Sequence, residues 1–315
     1  MAEPAFDTLA IVGIGLIGAS VARAAKARGA AGTIRLWDRE ADVRTRAATL
    51  ELGTVCETLD AAVSGADAVL ICVPVGAIEA VTSACAPHLK PGAVISDVGS
   101  VKADAARAMK AAAPATVHVI PGHPIAGTEQ SGPDAGFATL FEGAWHILTP
   151  LPDGGEDYGA AVERLTGFWR SLGARVECME PERHDRVLAI TSHLPHLIAF
   201  NIVCTAYDME QVDEGDVVKY SAGGFRDFTR IAASDPVMWR DVFLSNREAV
   251  LECLGRFSED LAALQRAIRW GDGDLLMQEF SRARGIRKAI IDAGLDSAEA
   301  DFGRRRSPGP DTQKD

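Results

Sequence analysis

The chain has 315 residues, 47% of them hydrophobic and 24% charged, with a net charge of −12. At roughly 100–200 residues per domain this length predicts two domains, each able to bury its own core. The acidic balance excludes a general affinity for nucleic acid or an anionic membrane surface, which both need clustered Lys and Arg, so an anionic ligand would have to be met by locally aimed cations. Cys56, Cys72, Cys85, Cys178, Cys204 and Cys253 show neither paired nor metal-ligand spacing. No metal site or disulfide framework is therefore expected, and a reducing cytoplasm fits best. The opening MAEPAFDT lacks a leader pattern, and no apolar run comes near the ~20 residues of a bilayer span, so a soluble protein is expected.

Up to about residue 180, short β-branched runs alternate with Ala-rich helical stretches, the pattern of a parallel sheet wrapped by helices. Strands are expected at 9–14, 33–37, 68–73, 93–98, 117–120, 145–149 and 175–179, and helices at 16–28, 40–51, 76–86, 102–113 and 157–172. After Pro181 the strand signal ends, and helices are expected over about 184–208, 236–270 and 274–293. In the second of these, Val250, Leu254, Phe257, Leu261, Leu264 and Ile268 recur at spacings of 4 and 3. Such a seam serves either packing within the chain or a subunit interface. Gly271 and Gly273 separate the last two helices, Gly294 is placed to cap the last, and the polar tail from Gly303 is expected to be disordered. The domains expected are 1–180, 181–302 and a tail, 303–315.

Glycines at 13, 15 and 18 follow an apolar strand and open a helix, and a second strand ends in Asp38. A G-x-G-x-x-G run alone is a weak signal, but this context makes it a dinucleotide-binding unit. Gly13 permits the turn, Gly15 lets backbone approach a pyrophosphate, and Gly18 lets helix pack on strand. Free N–H groups at the start of the helix, around Leu16 and Ile17, would face the phosphates. Asp38 can bind the ribose hydroxyls and repel the extra phosphate of NADP, which favours NAD; Arg39 beside it works the other way. The fold expected is a Rossmann-type, doubly wound α/β domain with a mainly parallel sheet, followed by an all-α domain.

Ligands of such sheets sit beyond the carboxyl ends of the strands. Val73, Pro74 and Asp97 are expected there along the cofactor. Ser100, in DVGSVK, and His123, in PGHPIAGTE, lie just past two strands, where hydroxyl and imidazole would converge near the nicotinamide. A dehydrogenase needs such a pair to take or polarise a hydroxyl proton as hydride leaves the same carbon. Ser100 also reads as a helix N-cap, and His123 as a hydrogen-bonded loop histidine. Thr128 and Glu129 share the His123 loop, where Glu129 is either a substrate-orienting acid or a solvated one.

The motifs GIGLIG, DVGSVK, GHPIAGTEQSG, SHLPH and GGFRDFTRIAASDPVMW together resemble the prephenate/arogenate (cyclohexadienyl) dehydrogenase family of tyrosine biosynthesis, over nearly the whole chain to about residue 295. The resemblance implies oxidative decarboxylation of a cyclohexadienol, and a homodimer formed through the C-terminal helices, which strengthens the interface reading of the seam. It implies that His123 bonds the ring hydroxyl, that Ser100 sits near that hydroxyl and the nicotinamide, and that Glu129 closes the site. It further implies that His196 lines the substrate pocket with His193 one turn away, that Arg230 grips a carboxylate, and that Trp239 forms a wall. Charge agrees, because prephenate carries two carboxylates and Arg226 and Arg230 lie four apart. For Arg226 a surface ion pair is the alternative, and for the two histidines, core packing. Pro195, in mid-helix, tilts the histidines toward a cavity.

The mechanism implied has neutral His123 accept the hydroxyl proton, with activity falling as pH drops through a histidine pKa near ~6.5. Two alternatives remain. A β-hydroxyacid or 6-phosphogluconate-type dehydrogenase would need a catalytic lysine early in the helical domain, and Lys219, in VVKYSAGG, does not match. A non-catalytic NAD-sensing regulator would not need Ser100, His123 and Arg230 together.

Overall fold

The computed structural model describes residues 3–128, 130–152, 155–210 and 223–292. Glu129, Lys219, Gly294 and the tail from Gly303 lie outside them. The chain divides into two units, Met1–Thr205 with Ile231–Cys253, and Ala206–Arg230 with Leu254–Asp315.

In the first unit, strands β1 (Phe6–Val12), β2 (Ala31–Trp37), β3 (Thr54–Val55), β4 (Ala68–Ile71), β5 (Val94–Asp97) and β6 (His118–Val119) form one sheet in the order β3-β2-β1-β4-β5-β6. Every pairing in it is parallel. The helices between them are α1 (Leu16–Arg28), α2 (Ala41–Thr49), α3 (Leu59–Val63), α4 (Ile78–Cys85) and α5 (Ala103–Ala112). Alternate residues of the central strands feed opposite cores. Leu9, Ile11, Leu70 and Val94 pack with Ala22, Phe168 and Trp169, whereas Ala10, Val12, Val69, Ile71 and Ile95 pack with Ile78, Cys85 and Met109. A parallel sheet covered on both faces produces the continuous apolar runs of these strands. The strand order reverses direction between β1 and β4, which opens a crevice beyond their carboxyl ends.

The expected strands at 145–149 and 175–179 do not extend this sheet. They are β8 (Trp145–Leu148) and β9 (Arg175–Cys178) of a second sheet, joined by β7 (Gly122–Ile125), and α6 (Tyr158–Ser171) lies between β8 and β9 in sequence. Strand β7 runs antiparallel to β8, with His123 opposite Ile147 and Pro124 opposite His146. His123 is therefore set in a strand, not on a free loop. Periodicity missed β7 because Gly and Pro fill half of its four positions.

Beyond β9 come α7 (Pro181–Leu188), a π-helical turn (Ala189–His193), α8 (Leu194–Glu210), α9 (Gly223–Thr229), a 3-10 turn (Arg230–Ala233), α10 (Pro236–Ser245), α11 (Arg247–Trp270) and α12 (Gly273–Asp292). The expected helix 184–208 is thus interrupted by a wider turn just ahead of Pro195, whose missing N–H and ring disturb the α-helical ladder. The expected helix 236–270 breaks at Asn246, whose side chain is held by other elements. The run Pro181–Met209 is long and apolar enough by composition to cross a membrane, with mean hydropathy 1.6 over its most apolar window. That differs from the expectation drawn from contiguous apolar runs, because a window mean tolerates the polar residues that interrupt such runs, and the core helix of a folded domain passes the same test. In this chain His184, Asp185 and His193 of the run are buried in polar contacts of the first unit.

Candidate active site

The glycine turn has the geometry its spacing requires. Gly13 has φ +97°, and a Cβ there would lie 2.6 Å from the Cys72 carbonyl oxygen; a Cβ on Gly18 would strike the Gly13 carbonyl. A Cβ on Gly15 would meet no protein atom within 4 Å. Close packing therefore explains Gly13 and Gly18, while at Gly15 the small residue leaves open space at the start of α1. Gly15 is the N-cap of that helix and supplies no side-chain cap, so the first N–H groups of α1 face this space. Leu16 and Ile17 form its first turn. Asp38 Oδ2 accepts the Ile14 N–H at 2.8 Å and Oδ1 the Glu40 N–H at 3.0 Å, which ties the end of β2 to the glycine turn. Arg39 is exposed and paired with Glu40 at 2.9 Å. Val73 and Pro74 follow β4, where Val73 approaches Gly13.

A second, buried cluster gathers at the ends of β5 and β7. Asp97 is fully buried and bonded to the equally buried ammonium of Lys102, which also donates to the Gly122 carbonyl at 2.8 Å. Asp97 also accepts the N–H of Gly99 (2.8 Å) and Gly122 (3.2 Å). It serves as a hub joining the β5 end to β7, and its expected place along the cofactor gains no support from these bonds. Helix α5 starts at Ala103, so Ser100 is not its cap. The cap comes from 82 and 83 residues along the chain: Asp185 Oδ1 accepts the Lys102 N–H at 2.7 Å, and Oδ2 the Ala103 N–H at 2.9 Å.

Asp185 also touches His184, with Oδ1 at 2.8 Å from Nδ1, and His184 Nε2 lies 2.9 Å from His123 Nδ1. Asn246 donates to the Asp185 carbonyl at 2.9 Å and to His193 Nδ1 at 3.0 Å. Trp239 is buried, stacked on His196 with ring centroids 3.8 Å apart and edge-on to His193 at 6.0 Å. His196 Nδ1 donates to the Ser192 carbonyl at 2.8 Å. The Trp239 indole N–H is buried without a partner among the described residues, a donor open to a bound molecule. Burial drives His123 well below its ordinary pKa, and the facing His184, Lys102, His146 and His193 act in the same direction. His184 is lowered by burial against the opposing pull of Asp185, and His193 is pushed down to about 4, chiefly by burial. The histidines at the centre are thus neutral imidazoles, which can accept protons.

The structure brings His123, His193, His196 and Trp239 into one unit, with Ser100 on the turn between Gly99 and Lys102. Thr128 is exposed and accepts the Gln130 N–H at 3.2 Å. Arg226 is exposed on α9, and Arg230, half-buried, opens the following 3-10 turn; both belong to the second unit. Sequence reasoning missed Lys102, His184, Asp185 and Asn246. The stretch EPERHDR reads as an ordinary charged helix start, and no spacing within it marks His184 and Asp185 as buried.

The nucleotide-binding domain of prephenate dehydrogenase matches residues 21–178, and the dimerization domain of prephenate dehydrogenase matches residues 180–282. The chain belongs to the prephenate dehydrogenase family. Among family members, the cyclohexadienyl dehydrogenase of Zymomonas mobilis is 43% identical, covering 90% of this chain and 96% of that one. Prephenate dehydrogenase from A. aeolicus, solved in complex with hydroxyphenyl propionate and NAD⁺, is 32% identical with a TM-score of 0.83, over 92% of this chain and 99% of that one. Synechocystis arogenate dehydrogenase is 26% identical with a TM-score of 0.74, over 90% and 100%. Membership of this family makes the chain a dehydrogenase with an N-terminal nucleotide-binding domain, and sets aside the β-hydroxyacid and regulator alternatives.

Proposed function

We propose that the chain is an NAD-dependent cyclohexadienyl dehydrogenase, which oxidises and decarboxylates prephenate, arogenate or both. The observation that carries this reading is a half-buried His123 held in β7, its pKa lowered toward the neutral ring, in the same unit as a glycine turn with an open cradle at Gly15. Gly13, Gly15, Gly18, the first N–H groups of α1, and Asp38 would hold the cofactor, with Asp38 favouring NAD over NADP. When bound, NAD⁺ supplies the acceptor for the hydride of ring C4. His123 Nε2 takes the proton of the C4 hydroxyl, with Ser100 beside it, and loss of CO₂ with aromatisation makes the step irreversible. His193, His196 and Trp239 would shape the substrate pocket, and Thr128, Glu129 and Arg230 are proposed as further substrate-binding residues, Arg230 through a carboxylate. The exposed Leu261, Ile268, Met277 and Phe280 support a homodimer through the C-terminal helices.

NADH formation from prephenate and from arogenate, each with NAD and NADP, tests this reading; no turnover of either substrate overturns it. For Arg230→Ala a rise in KM of tenfold or more with a smaller loss in kcat is expected, the result of lost ground-state binding. An unchanged KM removes Arg230 from the site.

A further inference from the structure

We propose that His184 and Asp185 are positioning residues that lock His123 in the tautomer with its proton on Nδ1, so that Nε2 is bare and ready to accept a proton. The inference deepens the reading of His123 as the base and rests on it. It follows from counting donors along a chain of contacts that starts at Asp185. That carboxylate is already fixed by two backbone donors, the N–H groups of Lys102 and Ala103 at 2.7 and 2.9 Å. A carboxylate only accepts, so the 2.8 Å contact to His184 requires the proton on His184 Nδ1. His184 is wholly buried and its burial favours the neutral ring, so its Nε2 carries a lone pair. The 2.9 Å contact between His184 Nε2 and His123 Nδ1 then has one consistent reading, in which His123 Nδ1–H donates. A neutral imidazole with its proton on Nδ1 has an accepting Nε2.

The groups around His123 do not offer a competing partner for that proton. His184 faces it from α7, Lys102 from the turn before α5, His146 from β8 and His193 from the π turn. Lys102 can only donate, and it is committed to Asp97 and the Gly122 carbonyl. The His123 and His184 ring centroids are 5.1 Å apart with 2.9 Å between the two nitrogens, so these nitrogens point at each other although the ring planes are turned by 67°. Without His184, no other group among the described residues holds the proton on His123 Nδ1, which frees the opposite tautomer, in which Nε2–H faces the substrate hydroxyl and cannot take its proton. When His123 accepts that proton, the imidazolium formed lies one ring away from the Asp185 carboxylate, which favours it without itself taking a proton.

The test uses the full chain labelled with ¹⁵N at histidine, and imidazole correlation spectra assigned with single histidine variants. In the unsubstituted protein both His123 and His184 are expected to carry their proton on Nδ1; a proton on Nε2 of either ring overturns the proposal. In His184→Leu, which removes the acceptor, His123 is expected to shift to a mixture of tautomers, and kcat to fall about tenfold or more with KM near its original value. In His184→Gln, whose side-chain carbonyl can accept from His123 while its amide donates to Asp185, most of kcat is expected to return. A kcat within twofold of the unsubstituted enzyme in a folded His184→Leu overturns the proposal, as does equal loss in the Leu and Gln variants. His123→Asn separates the two levels of the argument. Full activity in that variant overturns the reading of His123 as base, whereas its loss beside an unaffected His184→Leu overturns only the positioning role.

Discussion

At the scale of single residues, burial decides how the site behaves. An unperturbed histidine base would lose activity as pH falls through ~6.5, but burial and the facing Lys102 and imidazoles hold His123 well below that value. A group lowered in this way stays neutral as pH falls past 6.5, so the acid limb of kcat/KM is expected clearly below 6.5. Rates measured from pH 5 to 9 check this, and an acid limb at or above 6.5 counts against it. The Lys102–Asp97 pair, both side chains wholly buried, is costly to break from one side because the remaining charge is left without a counterion. Lys102→Met is expected to lower stability by about 3–5 kcal/mol in denaturant titration, with part recovered when Asp97→Asn is added. A loss under about 1 kcal/mol would show that the pair is not the hub described above.

At the scale of elements, the two glycines that look alike in the motif behave differently. Gly18 lies against the Gly13 carbonyl, so Gly18→Ala forces α1 away from β1 and is expected to destabilise the first unit. Gly15→Ala meets no protein atom and is expected to leave the melting temperature within a degree or two while weakening NAD binding tenfold or more. Calorimetry for binding and thermal unfolding for stability distinguish the two, and equal effects on both properties would contradict the open cradle. Helix α5 shows how an element can be completed from a distance. Its sequence start suggested Ser100 as cap, whereas the carboxylate of Asp185 on α7 satisfies two of its first N–H groups. One acidic residue thereby links the start of α5 to the ring that touches His123.

At the scale of the whole molecule, apolar side chains remain exposed on α11 and α12, among them Leu261, Ile268, Met277 and Phe280. Exposed large apolar side chains on successive helices are what an interaction face requires, and residues 180–282 match a dimerization domain. Light scattering after gel filtration is expected to give the mass of two 33.3 kDa chains, and Leu261→Glu with Ile268→Glu is expected to give one. A monomer before substitution would refute the homodimer. The seam over Val250 to Ile268 was readable from periodicity alone, but periodicity could not say whether it faced its own chain or another. In the single chain Val250 is buried while Leu261 and Ile268 are exposed, so only part of the seam is used in packing within the chain.

What was legible in advance is what short-range spacing encodes. The order of strands and helices, the glycine turn, Asp38 at the end of β2 and His123 beyond a strand all follow from side chains a few residues apart acting on the backbone between them. The short strands β3 and β7 escaped because two to four residues carry too little periodicity. The cluster around His123 escaped for a different reason. Lys102, His184 and Asn246 come from separate elements, and each taken alone is an ordinary polar residue on a helix or turn. Their burial, their neutral or paired states and the tautomers they impose arise only when β5, β7, α7 and α10 pack together and exclude water. Hydrogen bonding between residues 61 or 83 positions apart is a property of that packing, so no local pattern could have specified it.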